Sequence, residues 1–370
     1  MGAAILALLV AAGGVVFATT RDGSADPWGS YGEGWTELPV GPGTRFTTYA
    51  WAGSELVAWG DDGRGSSGPD TAYTFDPASK IWAQTAPAPT GGFVAAAVWT
   101  GSELLFFVGS YHPGMAVVGF DPERNAWDSF DRSPRGPNLL SSYTWTGRDV
   151  VVFGGVDQLH GIEEGTDRAW SFDAASGAWS ELPSAPVRMS APTAAWSGQE
   201  LIAAGWSGPL LHPSTDSLQT VAFDPASSAW RTLPDTQLGI VPTGAVAVDG
   251  RPIIWQPSAD SSFEWRKAAG AWTPIPAPYL GGGGCPVDTA AISGFAFGWA
   301  CGHPAVFSAA TSSWSPVDPP ITWDATITPP GVAVAVGDGF VVSAFVPTPD
   351  AGATEGSPDT HLWFWRPPRP

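Results

Sequence analysis

The stretch Ala169-Trp170-Ser171-Phe172-Asp173-Ala174-Ala175-Ser176-Gly177-Ala178-Trp179-Ser180-Glu181-Leu182-Pro183 is the key to the rest of the chain. Two short runs, rich in aromatic residues and too brief for helices, flank Asp-Ala-Ala-Ser-Gly. Asp at a strand end followed by small or polar residues is the chemistry of a tight connection between antiparallel strands. An aromatic followed seven residues later by Trp recurs at Phe75/Trp82, Phe120/Trp127, Phe172/Trp179, Phe223/Trp230, Trp265/Trp272 and Phe307/Trp314. Asp76, Asp121, Asp173 and Asp224 follow the aromatic in the first four.

A second mark precedes each of these, Trp-x-Gly-x-Glu/Asp-Leu/Val at Trp51, Trp99 and Trp145, with Gln199 as the variable residue in the copy at Trp196. Later copies keep only the glycine. Gly53, Gly101, Gly147, Gly198, Gly250, Gly294 and Gly339 are spaced 48, 46, 51, 52, 44 and 45 residues apart. Each glycine lies between two short runs of Val, Ala and aromatics. Every unit therefore reads as four antiparallel strands, and seven such units at this period predict an all-β, seven-bladed β-propeller.

The ends of the chain indicate how the ring closes. Leu362–Trp365 reads as a third strand, but the chain reaches Pro370 before a seven-residue step meets another Trp. Gly34-Trp35-Thr36-Glu37-Leu38-Pro39 reads as an orphan fourth strand, nearly matching Ala178–Pro183. The N-terminal strand around Trp35 is thus expected to complete the C-terminal blade, which leaves no open edge. Trp28 lies seven residues before Trp35 but has no following Asp, and is read as linker. The domain plan is 1–20 a signal peptide or membrane anchor, 21–30 a linker, and 31–370 the propeller.

Val151-Val152-Phe153-Gly154-Gly155, the strand Ala169–Asp173, the Trp179 strand and the connection Leu182-Pro183-Ser184-Ala185-Pro186-Val187-Arg188 together resemble the kelch-repeat and galactose-oxidase-type propellers. The resemblance covers residues 31–366 as a fold, with its motifs concentrated in the first four units. The double glycine occurs only in the third. The resemblance implies that Arg45 and Arg188, just ahead of the first strands of their blades, line the mouth of the central channel. A guanidinium there could hold a carboxylate or sugar acid bidentately, or could cap neighbouring carbonyls and pair with acids. Galactose oxidase itself is similar only in scaffold: its copper chemistry needs a tyrosine cross-linked to a cysteine, which two cysteines expected to pair with each other do not supply.

Composition agrees with turns rather than charged helices. Gly and Pro together number 83 of 370 residues while charged residues are 14%, and 21 Trp supply core. The formal charge of −19, with Lys80 and Lys267 the only lysines, argues against a nucleic-acid partner, because phosphate binding rests on clustered Lys and Arg. Residues 2–20 carry no charge and the run Ala3–Ala12 is nearly all aliphatic. That segment reads as a signal h-region or a membrane anchor, with cleavage after Ala18 or retention both open, and it points to export to the extracellular space or cell envelope. Cys285 and Cys301 flank one hairpin. With its turn near Ser293 and Gly294 they face each other across antiparallel strands as a disulfide, or remain two buried thiols.

No phosphate-binding loop, Gly-x-Ser-x-Gly elbow or His-Glu-x-x-His motif occurs, so no catalytic residue is assigned. The histidines form a pattern instead. His112, His160, His212, His303 and His361 fall in or at the end of second-to-third-strand connections in five blades, on the face shared with the inter-blade crossings, and acids such as Asp157, Glu163 and Glu164 accompany them. His112, His160 and His212 come from consecutive blades and are the candidates for a shared divalent metal, the alternative being solvated loop tips with no cofactor. Most tryptophans are expected to fill inter-blade wedges; Trp206, Trp255, Trp299 and Trp323 lie off the register, with burial favoured over stacking on a sugar. Three functional classes follow: a monomeric extracellular module binding a protein or glycan on this loop face, a carbohydrate-active or metal-dependent enzyme, and a structural or sensory ectodomain.

Overall fold

A computed structural model describes residues 26–42, 45–61, 71–109, 114–133, 140–156, 165–207, 218–236, 244–256, 261–278, 287–300, 303–321, 332–346 and 359–368. Every regular element among them is a strand, and none is a helix long and apolar enough to cross a membrane. The strands form seven four-stranded antiparallel sheets, each running through its strands in sequence order except the last. The third blade is typical: Ser142–Trp145, Asp149–Phe153, Ala169–Asp173 and Ala178–Leu182. The first strands of successive blades pack against one another, and Arg45–Trp51 of the first blade meets Ala333–Val336 of the seventh. The first strand is therefore innermost, and the chain is a closed seven-bladed β-propeller.

The repeated aromatics explain why the blades stack. Phe75 lies opposite Trp82, Phe120 opposite Trp127, Phe172 opposite Trp179, Phe223 opposite Trp230, Trp265 opposite Trp272, and Phe307 opposite Trp314. Each outer-strand indole then reaches back to the previous blade. Trp82 Nε1 donates to Pro39 O, Trp127 to Ala86 O, Trp179 to Asp131 O, Trp230 to Pro183 O and Trp272 to Pro234 O, at 2.8–3.1 Å. Trp314 departs from this pattern, donating to Ser262 Oγ and stacking on Trp255 at 4.3 Å. One residue type thus supplies both the apolar wedge and a directional bond that sets each blade's register on its neighbour.

Closure follows the sequence expectation. Gly34–Glu37 pairs antiparallel with Asp359–Arg366, placing Trp35 opposite Trp365, and Trp35 Nε1 donates to Asp318 O of the sixth blade at 2.7 Å. The N-terminal strand is the outer strand of the seventh blade and makes the same stitch as the others.

Trp28 corrects the linker reading. It is fully buried in the seam between the seventh and first blades, stacked on Phe364 at 4.6 Å and touching Tyr31, Trp51 and Phe75. The physical reason is that this seam joins the two ends of the chain and takes its wedge from the segment preceding the latch strand. Arg366, itself buried, secures that segment. It donates to the carbonyls of Tyr31 and Trp28 and pairs with Asp26 at 3.2 Å and Asp338 at 2.8 Å.

Candidate functional site

The ring has two ends of different character. One, the turn end, carries the first-to-second and third-to-fourth strand turns. Its aspartates cap their own turns: Asp76 accepts from Ala78 N and Ser79 Oγ, Asp173 from Ala175 N, Ser176 N and Ser176 Oγ, and Asp224 from Ala226 N and Ser227 Oγ. Four residues after each aromatic-flanking position the backbone turns left-handed, at Lys80, Asn125, Gly177, Ser228, Gly270 and Ser312, which is the geometry these caps stabilise. The backbone and hydroxyl bonds from Ser176 hold Asp173 below the usual carboxylate range.

The acids of the Trp-x-Gly-x-Glu/Asp motif also serve the turn end. Burial would raise Glu200, but Arg231, bonded through both carboxylate oxygens at 2.8 and 3.0 Å, and Lys267 of the next blade, at 3.2 Å, hold it below its ordinary value. Glu264, a third-strand acid outside the motif, is likewise opposed by burial and kept low by Arg251 and Arg266. In the first two blades the balance reverses: burial and then Asp76 raise Glu55, and burial with Asp128 and Asp121 raises Glu103.

The other, loop end, carries the second-to-third connections and the crossings between blades. Here the double glycine of the third blade has a specific task. Gly154 and Gly155 both take positive φ, and Gly155 donates to Met189 O while accepting from Thr166 N. Met189 N returns a bond to Thr166 O, so the crossing between the third and fourth blades is sewn to the neck of the 157–164 connection, which closes at the bridge Val156 to Gly165. A Cβ at Gly165 would lie 2.7 Å from the backbone of Met189 and Ser190, so only glycine admits this approach. Arg188, next to Met189, is exposed at that neck. The connection carrying His160, Glu163 and Glu164 therefore leaves and re-enters the fold beside Arg188. Arg45 is the first residue of the innermost strand of the first blade, opposite Asp61, rather than ahead of it.

Asp288 is the loop-end residue that sequence reading missed. It lies near the start of the innermost strand Val287–Ile292 of the sixth blade, and its two oxygens accept from Thr289 N at 2.9 Å and from Ala333 N of the seventh blade at 2.8 Å. Thr289 Oγ1 donates in the opposite direction, to Ala245 O of the fifth blade. Three inner edges are joined at one point. Burial pushes Asp288 up to about 7, against which its two backbone bonds act. A signal existed in the repeat: four residues before the last paired residue of each innermost strand stand Thr47, Ala95, Ser141, Pro192, Gly244, Asp288 and Val332. Asp288 is the lone carboxylate in that ring of positions.

The remaining candidates divide. His112, His160 and His212, and the disulfide candidates Cys285 and Cys301, lie outside the described residues. Among the described residues no group of three His, Cys, Asp or Glu is placed to hold a metal ion. The hairpin reads as expected up to its ends, with Val287 opposite Ala300 and its turn at Ser293 and Gly294. His303 is exposed and opens a third strand, opposite Ala300. His361, expected in or at the end of a connection, sits two residues inside Asp359–Arg366, facing Glu37 of the latch strand with Nδ1 3.0 Å from Oε1, because that strand begins earlier than its apolar core suggests. Trp255 and Trp299 are buried, and Gly298 makes room for the Trp255 ring, which a Cβ there would approach within 1.9 Å. Trp206 is half-buried, and Trp323 lies outside the described residues. Neither the family models nor the curated proteins give a match to this chain.

Proposed function

We propose that the chain is an exported or membrane-anchored, kelch-like propeller that binds a protein or glycan ligand through its loop end. The observation that carries this reading is the asymmetry between the ends. The turn end repeats a capped aspartate in the first four blades, whereas the loop end carries, among the described residues, two features without a counterpart in the other blades: the Gly154–Gly155 neck beside Arg188, and Asp288. Repeated residues serve the repeat; singular ones on a rigid scaffold are where recognition is built. Arg188 stands exposed beside that neck, and a guanidinium is the group that recognises a carboxylate or sugar acid bidentately.

A second reading, a carbohydrate-active enzyme on the same face, is favoured by Asp288 alone. A carboxyl group raised by burial to about 7 is suited to general acid–base work. A glycan and protein binding screen on the purified chain, followed by turnover assays on any ligand found, separates the two. Binding without turnover supports the module. Turnover lost in Asp288→Asn with binding retained supports the enzyme. Absence of any ligand from both screens counts against both.

A further inference from the structure

We infer that the propeller, when its N-terminal segment is held in a membrane, sits with its turn end toward the bilayer and presents its loop end outward. The inference rests on reading residues 2–19 as a retained anchor, and it adds which face a ligand can reach.

In each blade the outer strand runs from the turn end to the loop end, because it follows the third-to-fourth turn and leads into a crossing. Gly34–Glu37 is the outer strand of the seventh blade, so the chain that precedes it must arrive from the turn end. Side chains then fix that arrival. Trp28 is wedged between the seventh and first blades within reach of Gly337, in the turn between Ala333–Val336 and Gly339–Val346, where a Cβ on Gly337 would lie 3.2 Å from the indole. Asp26 is tied to Arg366, the last residue of a third strand and hence also at the turn end. Trp28 N donates to Asp26 Oδ1, and Gly29 N and Tyr31 N close a compact turn on Asp26 O and Trp28 O. The point at which residues 1–25 join the fold is thus locked on one face.

Reach limits how far the body can swing. Only Arg21–Ala25, five residues, separate Thr20 from Asp26, and five residues extend at most about 18 Å. That is too short to pass around a blade and bring the loop end to the membrane.

The test uses the full chain reconstituted into neutral phosphatidylcholine vesicles carrying a membrane-embedded energy-transfer acceptor. Dyes are placed one at a time at opposite ends of the same outer strands, at Ala175→Cys against Ser184→Cys and at Ala310→Cys against Asp318→Cys, with the unsubstituted chain giving the background labelling of Cys285 and Cys301. The expected result is co-sedimentation with vesicles and at least twofold higher transfer from Ala175→Cys and Ala310→Cys than from their partners. Co-sedimentation with equal or reversed transfer overturns the orientation while leaving the anchor reading standing. Failure to co-sediment overturns both.

Discussion

Asp173 and Asp288 each accept two backbone N–H bonds, yet they are shifted in opposite directions. Asp173 stands partly exposed at the turn end, where those bonds, the Ser176 hydroxyl and Arg148 outweigh its modest loss of water. Asp288 stands between inner strands at the loop end, where loss of water outweighs the same kind of bonding. The difference teaches what each end is for. A capped aspartate repeated in successive blades closes a turn; a single desolvated one joining the sixth and seventh blades gives the loop end a group that changes charge near neutral pH. Glu200 and Glu55 repeat the lesson within the turn end: the same motif position is lowered where two cations meet it and raised where burial and another acid do.

The largest effect is expected at the seam. Trp28→Ala should lower stability by about 3–5 kcal/mol, the cost of deleting a buried aromatic, measured by denaturant unfolding. A change below about 1 kcal/mol would mean that the segment does not wedge the ring.

Next comes the pH response of Asp288. Its folded value, about 7, lies above the unfolded 3.8, so the fold favours the protonated form. Stability should therefore be highest below the unfolded value and decline as pH rises through 7, by about 1–3 kcal/mol between pH 5 and 8. Asp288→Asn should flatten that slope. An unchanged slope in the variant would assign the response to other groups and remove the contrast with Asp173.

The two glutamates should then respond with opposite signs at pH 7. Glu200→Gln loses the Arg231 and Lys267 clasp and should destabilise by about 1–2 kcal/mol, discounted because both cations are half in water. The lowered Glu200 also means that its contribution is present above 4.5, the unfolded value, and lost as pH falls through the folded one. Glu55→Gln removes a carboxylate whose charge is disfavoured and should be neutral or stabilising by less than about 1 kcal/mol. The smallest effect belongs to the turn backbone: Ser228→Gly, at φ 51°, should stabilise by about 0.5 kcal/mol, read as a shift in denaturation midpoint.

The sequence made the ring legible because its determinants repeat. Phe172-Asp173 and Trp179 disclose a strand, a turn and a strand, and the recurrence of that spacing discloses the number of blades. The orphan Gly34–Pro39 disclosed the latch by the same similarity. Trp28 was illegible because its wedge forms only once, where the chain ends meet, so it has no repeat to be compared with. Asp288 was hidden because its character comes from Ala333, 45 residues away and in another blade, rather than from its neighbours in sequence. His361 reads as the end of a connection because the apolar run that marks its strand starts one residue after it. Contacts between blades, not patterns within them, decide these positions.

The comparison of the two ends is tested most directly by competition for one ligand. For a protein or glycan identified by the binding screen, affinity is measured by calorimetry for the unsubstituted chain and for Arg188→Ala, Asp288→Asn and Asp173→Ala. The account predicts at least a tenfold loss in one or both of the first two and less than a twofold change in Asp173→Ala. Full affinity in both loop-end variants, with loss confined to Asp173→Ala, would place recognition on the turn end and contradict it.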